Sequence, residues 1–182
     1  MVPLIERAAR FADRVAVTDE AGPHTYGELL AASAAVATVL LDGEPDLRER
    51  RVAFLVPPSF EYVAVQWGIW AAGGIAVPLA TMHPPAELEY VLRDAAAELL
   101  VVHRDLAANV EPIDLDEAGL QLRRISVDDA LRGDPAGAVL PELSADRRAM
   151  MLYTSGTTSK PKGVVTTHGN ITAQIVSLVE AW

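Results

Sequence analysis

The stretch Tyr153-Thr-Ser-Gly-Thr-Thr-Ser-Lys-Pro-Lys-Gly163 concentrates the residue types that hold a polyphosphate. Tyr153, Thr154, Ser155, Thr157 and Thr158 carry hydroxyls, and Gly156 among them frees the backbone to turn. Backbone amides in such a turn form a concavity for anions. The chain's only lysines, Lys160 and Lys162, both fall here, and all its other constant positive charges are arginines. An ammonium is a compact charge on a pliant stem that can follow a triphosphate, whereas a guanidinium fork imposes one geometry. A hydroxyl-rich surface loop with solubilising lysines is the bland alternative. It does not explain why both lysines meet the hydroxyls in one place. Nor is the stretch a Walker A loop: five residues after Gly156 stands Pro161, and no Gly-Lys-Ser/Thr triplet occurs.

Composition narrows the other chemistries. The chain has no cysteine, which excludes disulfides, thiolate zinc sites and a cysteine nucleophile. His24, His83, His103 and His168 show no metal-ligand spacing. His83 and His168 lack a partnered carboxylate or nucleophile and read as structural. Trp67 and Trp70, three apart on a helix, read as core and not as stacking platforms. No catalytic residue and no metal ligand is therefore assigned. Fifteen basic against twenty-five acidic residues give a net charge of −10, which argues against nonspecific nucleic-acid binding and against anionic membranes. A local phosphate site stays open. With 182 residues, half of them hydrophobic, the chain can bury one core. No run approaches the roughly 20 apolar residues of a membrane span. Arg7, Arg10 and Arg14 alternate with Glu6, Asp13 and Asp19, unlike an acid-poor transit peptide. A cytoplasmic protein with no nucleic-acid or membrane partner is the expectation.

The elements that must position the loop read as alternating strands and helices. Pro3 to Phe11 suits a short amphipathic helix, and Val15–Thr18 and Thr25–Tyr26 flank a turn at Glu20-Ala-Gly-Pro23. Thr25 and Glu28 form a capping box for a helix to Leu41, with Leu29, Ala32, Val36 and Leu40 in a stripe. Val52–Val56, Ile75–Leu79 and Leu99–Val102 are unbroken apolar runs of strand length, as expected when both faces are covered. Helices opened by Ser59 and by Pro84-Pro85 lie between them. The fold class is therefore α/β, a mostly parallel sheet with helices on both faces. Residues 105–148 read as a variable connection holding one short strand at Leu122–Val127. Met150–Tyr153 leads into the loop at 153–163, Gly163–Thr167 leads out, and a helix starts at Gly169 or Asn170.

At Tyr153–Gly163 the chain resembles the phosphate-binding loop of the adenylate-forming (AMP-binding) superfamily: acyl-CoA synthetases, luciferases and the adenylation domains of peptide synthetases. The family form reads Tyr/Thr-Thr/Ser-Ser-Gly-Thr-Thr-Gly-x-Pro-Lys-Gly, and the one departure is Ser159 for glycine. Thr25-Tyr-Gly-Glu-Leu29, Arg51-Val-Ala-Phe-Leu-Val-Pro-Pro-Ser-Phe-Glu61 and Trp70-Ala-Ala-Gly-Gly-Ile-Ala-Val-Pro-Leu79 are similar to further family segments, in order. With His83-Pro-Pro85 and Leu88-Glu-Tyr90, the set is most similar to the branch holding malonyl-CoA synthetases. The resemblance implies an acid–thiol ligase using ATP, Mg2+ and coenzyme A on a carboxylic acid substrate. It implies ATP-phosphate contacts from Thr154, Ser155, Gly156, Thr157, Thr158, Ser159, Lys162 and Gly163. Lys160, at the family's variable position, is expected to be a solvated neighbour.

The family's adenine- and magnesium-binding aromatic-Gly-x-Thr-Glu motif, its ribose-binding aspartate, acyl pocket and C-terminal lysine have no counterpart up to Trp182. The last helix also lacks a stop signal, with Ile171, Ile175, Leu178, Val179 and Trp182 on one face. The expectation is one incomplete N-terminal domain, residues 1–182, inactive alone, binding no cofactor tightly, and open to self-association through that face. Two alternatives stand beside it: a nonenzymatic fragment with at most weak phosphate binding, or part of an adenylation domain that loads a carrier protein.

Ser159 generates the first prediction. Glycine is favoured where backbone takes positive φ or passes close to a ligand, and a Cβ at positive φ costs on the order of 1 kcal/mol. The added hydroxyl offsets little, because the loop already has hydroxyls in excess. In a full-length protein carrying this loop, Ser159→Gly is expected to tighten ATP binding or raise turnover by up to about tenfold, or ~1.4 kcal/mol. Titration calorimetry and steady-state rates check it; a loss in both makes the serine a ligand.

Overall fold

Strands that are apolar on both sides need cover on both sides, and the computed structural model shows what supplies it. It describes residues 3–113, 121–137, 139–154 and 160–181. The strands are β1 (Val15–Asp19), β2 (Gly22–Thr25), β3 (Arg51–Leu55), β4 (Ile75–Pro78), β5 (Leu99–Val102), β6 (Arg123–Ser126), β7 (Arg148–Thr154) and β8 (Lys162–Thr167). The helices are α1 (Pro3–Ala9), α2 (Tyr26–Leu41), α3 (Phe60–Ala71), α4 (Pro85–Asp94), α5 (Ala107–Val110), α6 (Val127–Leu131) and α7 (His168–Ala181). β1 and β2 form a separate antiparallel hairpin, while the main sheet runs β6-β5-β3-β4-β7-β8. Its strands are parallel from β6 to β7, and β8 returns antiparallel to β7.

Within each apolar run the side chains alternate between two cores, the period of two that a pleated strand dictates. Val52, Phe54, Leu99 and Val101 join α2, α3 and α6 through Leu29, Val36, Ile69 and Ala130. Ala53, Leu55, Leu100 and Val102 face the other way, with Leu88, Val91 and Leu92 of α4 and Val110 of α5. The α2–α3 contact is close because of Gly68, where a Cβ would lie 2.6 Å from Val36. The Thr25–Glu28 capping box forms as expected, and Ser59 caps α3 through the Tyr62 N–H.

Four boundaries differ from the sequence reading. The first hairpin turn is tighter, with Pro23 already in β2, and α1 ends at Ala9. Within 105–148, β6 extends the main sheet beside β5 and α6 packs on α2, so this part is structural. Its charged residues Arg123 and Arg124 give it an edge strand's pattern, so the strand is legible in sequence but its place in the main sheet is not. Finally, α7 starts at His168, because Thr167 and Asn170 cap it reciprocally: the Thr167 N–H donates to Asn170 Oδ1 at 3.0 Å and the Asn170 N–H to Thr167 Oγ1 at 3.1 Å.

The start of β7 is fixed by charge. Arg147 donates both terminal nitrogens to the Asp46 carboxylate, at 2.9 and 3.0 Å, and one of them to the Gly73 carbonyl at 2.8 Å. Gly73 has φ +80°, and a Cβ there would stand 2.2 Å from Asp46 Oδ1, so the site requires glycine. Hydrogen bonds from Arg147 hold the Asp46 carboxyl below the ordinary carboxylate range, and Arg148 does the same for Glu49. A depressed folded-state pKa gives stability that is complete above the unfolded pKa, about 4, and is lost as pH falls through the folded value. Asp46→Asn is therefore expected to lower stability at pH 7 by about 1–3 kcal/mol, with a smaller gap at pH 3. Urea midpoints followed by circular dichroism at the two pH values check this; a gap of constant size counts against it.

Candidate functional site

The hydroxyl- and lysine-bearing stretch caps the β7–β8 hairpin. Tyr153 pairs with Gly163 and Thr154 with Lys162, so these four residues are strand and the turn proper is shorter than 153–163. Side chains at directly opposed positions stand on one face of a ladder. The Thr154 hydroxyl and Lys162 ammonium are thus neighbours at the mouth of the turn. Both residues are exposed, and among the described residues Lys162 forms no ion pair. A hydroxyl donor beside a free ammonium is suited to an anion spanning the mouth. Ser155, Gly156, Thr157, Thr158 and Ser159 lie outside the described residues.

Gly163 has a packing role in addition to any contact with a ligand. A Cβ there would meet Met151 Cγ and Sδ at 3.1 Å and Tyr153 Cζ at 3.3 Å. Met151 and Tyr153 share the core face of α4, and glycine leaves them room.

Helix α4 meets both legs of the hairpin. On the entering leg, the Tyr153 hydroxyl donates to Asp94 Oδ2 at 2.7 Å. Burial, reinforced by that carboxylate, pushes the Tyr153 hydroxyl far above the usual phenol range. On the leaving leg, the Tyr90 hydroxyl donates to the Pro161 carbonyl at 3.0 Å. Burial, and then the Asp94 charge, raise Tyr90 as well. The two rings meet edge to face, 6.5 Å apart at 84°, and the Lys160 ammonium lies 5.4 Å over the Tyr90 ring. Lys160 is exposed, with its ammonium lying on the α4 side of the hairpin. A cleft of about 580 Å³ between helix and hairpin includes His83, Glu87 and Lys160 in its lining.

Other polar groups are accounted for by packing. His168 is buried, with its ring edge-on to Trp70 at 6.0 Å, and burial, then the Arg147 charge, lower its pKa. Trp70 donates its indole N–H to the Ala149 carbonyl at 2.8 Å, and Trp67 and Trp70 are core, as read from sequence. A larger concavity of about 930 Å³ opens where β3 and β5 end. Among its lining groups, His103 Nε2 lies 3.2 Å from Glu61, and Asp19 accepts from the Phe60 N–H at 2.9 Å. Among the described residues, no group of three or more His, Asp or Glu could hold a metal ion. The magnesium that the resemblance implies finds no ligand set in them. No helix of the described residues is long and apolar enough to cross a membrane.

Sequence reading brought Thr154, Lys162 and Gly163 to one place and overlooked Tyr90 and Asp94. Their only mark in the sequence is the spacing of four that puts both beside the Leu88–Val91–Leu92 stripe. Strand order, which brings α4 against the hairpin, was needed to give that spacing meaning.

The AMP-binding enzyme family matches residues 4–182. A mitochondrial malonate–CoA ligase of Homo sapiens is 38% identical over 187 residues, covering 99% of this chain and 32% of the relative. A malonate–CoA ligase of Arabidopsis thaliana is 31% identical over 204 residues, covering 96% of this chain and 32% of the relative. The crystal structure of ATP-bound MatB from Rhodopseudomonas palustris superposes with a TM-score of 0.82 at 28% identity, covering 100% of this chain and 38% of that one. The chain spans about a third of the length of these curated relatives.

Proposed function

This chain belongs to the AMP-binding enzyme family, and on that premise we propose that it is the N-terminal portion of an ATP-dependent acyl-CoA ligase. The observation that supports this most is the Thr154–Lys162 pair at the mouth of a hydroxyl-rich hairpin tip. In the proposed first step a carboxylate oxygen attacks the α-phosphorus of ATP. The bond from that phosphorus to the oxygen bridging the β-phosphorus breaks, and pyrophosphate departs with the electron pair. The part assigned to this chain is to hold the β- and γ-phosphates in line and to neutralise their charge, which is positioning and electrostatics and not proton transfer. Thr154, Ser155, Thr157 and Thr158 would donate hydroxyls, with Ser159 beside them. Gly156 and Gly163 would admit the backbone, and Lys162 would supply the charge. In the second step the thiol sulfur of coenzyme A attacks the acyl carbon and AMP leaves.

The carboxylate class we assign is a short dicarboxylic acid of the malonate type, on the names of the relatives. The adenylation is tested by malonate-dependent exchange of labelled pyrophosphate into ATP. Full-length protein carrying this chain is expected to exchange, and Lys162→Ala to reduce exchange by about tenfold or more, the range of one charge-assisted contact. The 182-residue chain alone is expected to stay at background. Exchange by the isolated chain overturns its assigned dependence on further segments.

We also assign the isolated chain a tendency to self-associate. Leu178 and Val179 on α7 are 54% and 60% exposed, and Ile171 and Ile175 beside them are half-buried. Contiguous apolar surface of this kind favours association. Sedimentation at rising concentration is expected to show dimers or larger species that Leu178→Glu reduces; a monomer throughout refutes it.

A further inference from the structure

We propose that Tyr90 and Asp94 of α4 are positioning residues for the phosphate loop, Asp94 holding its entering leg and Tyr90 its leaving leg. The inference rests on the phosphate-loop reading above and adds what aims that loop. Residues four apart on a helix share a face, and this face lies along the hairpin. The Tyr153 hydroxyl reaches Asp94 at 2.7 Å and the Tyr90 hydroxyl reaches the Pro161 carbonyl at 3.0 Å. Tyr153 is the residue before Thr154 and Pro161 the residue before Lys162, so each bond falls next to one member of the pair at the mouth. Two tyrosines covering an apolar patch would account for the rings. They would not account for two hydroxyl bonds landing on opposite legs of one loop.

The sheet alone does little to aim the tip. Among the described residues β7 meets β4 in register at Ala76 and Met150, near its start, and Pro78 at the end of β4 has no N–H to extend the ladder. On the far side β8 is an edge strand, with Val164 and Val165 48% and 41% exposed. Beyond Met150, among the described residues, the hairpin's side-chain hydrogen bonds to the body run to α4. A lateral error of about 1 Å at such a tip is enough to misplace a reacting phosphate. Phenol hydroxyls are protonated, and so able to donate, across the neutral range, and burial moves both tyrosines further above it.

The test is steady-state kinetics of the full-length protein carrying this chain, with ATP and carboxylate varied separately. Tyr153→Phe and Asp94→Ala are each expected to lower kcat/KM for ATP about three- to tenfold, the range of one net hydrogen bond, while KM for the carboxylate holds. Because the two share one bond, the double variant loses little more than either alone. Asp94→Asn keeps an acceptor oxygen and is expected to regain most of the loss. Tyr90→Phe, at the other leg, gives a drop of similar size. Lys162→Ala is the control. Full ATP kinetics in the Tyr90, Asp94 and Tyr153 variants beside a damaged Lys162→Ala overturn the positioning role and leave the phosphate loop standing. So does additive loss in the double variant, or an equal rise in KM for ATP and carboxylate. An undamaged Lys162→Ala overturns the phosphate-loop reading itself, and the positioning role with it.

Discussion

A parallel sheet can leave neither face to water, and this constraint organises the molecule. Val52–Leu55 of β3 and all of β5 are apolar and send alternate side chains into two cores. The chain must therefore supply helices to both sides, which it does with α2, α3 and α6 on one and α4 and α5 on the other. Parallel strands also end together at one edge. β7 continues that direction beside β4, so Thr154 at its end lies on the side where the other parallel strands end. α4 connects β4 to β5 and so runs back against the strands. Its contacts follow in that order: Asp94 at its end meets Tyr153, and Tyr90 a turn earlier meets Pro161, nearer the tip.

The hairpin is consequently held at two levels by different physics. At its base, Arg147 and Arg148 tie it to Asp46 and Glu49 by charge-assisted, partly bidentate bonds across about a hundred residues of sequence. Nearer its tip the ties are two phenol hydroxyls, a ring–ring contact and a glycine that admits Met151 and Tyr153. The base ties are ionic and acid-sensitive, whereas the tip ties are donor bonds that persist through neutral pH. Rigidity at the base and directional anchoring near the tip let a strand pair at the sheet edge carry a site.

What was legible in the sequence follows from how local each signal is. A capping box is complete within four residues, so Thr25 and Glu28 announced α2 correctly. An unbroken apolar run of strand length announces a doubly covered strand, and β3, β4 and β5 were found on that ground. β6 was recognised as a strand but not as part of the sheet, because its charged outer residues carry an edge strand's pattern and strand order is not local. The same limit hid Tyr90 and Asp94. Their partners lie 71 and 59 residues away. Thr154 and Lys162 were legible because residue chemistry gathered them within one short stretch. Their opposition across the ladder was not, since the antiparallel return of β8 is set by the hairpin and not by composition.

On the proposed phosphate-loop reading, the energetics of an exposed mouth favour anchoring over the number of phosphate-compatible groups. Thr154 and Lys162 both face solvent, and a charge contact in water contributes well under what the same contact gives in a dry site. Adding hydroxyls does little to change this, because each must give up hydration and rotamer freedom to bind. Fixing the donors before the ligand arrives removes part of that cost and leaves the contact's full directional value. The lysine fits this division of labour. Its stem tolerates movement of the anion, so precision has to come from the backbone that carries it. That backbone begins at Lys162, one residue after the carbonyl that Tyr90 holds.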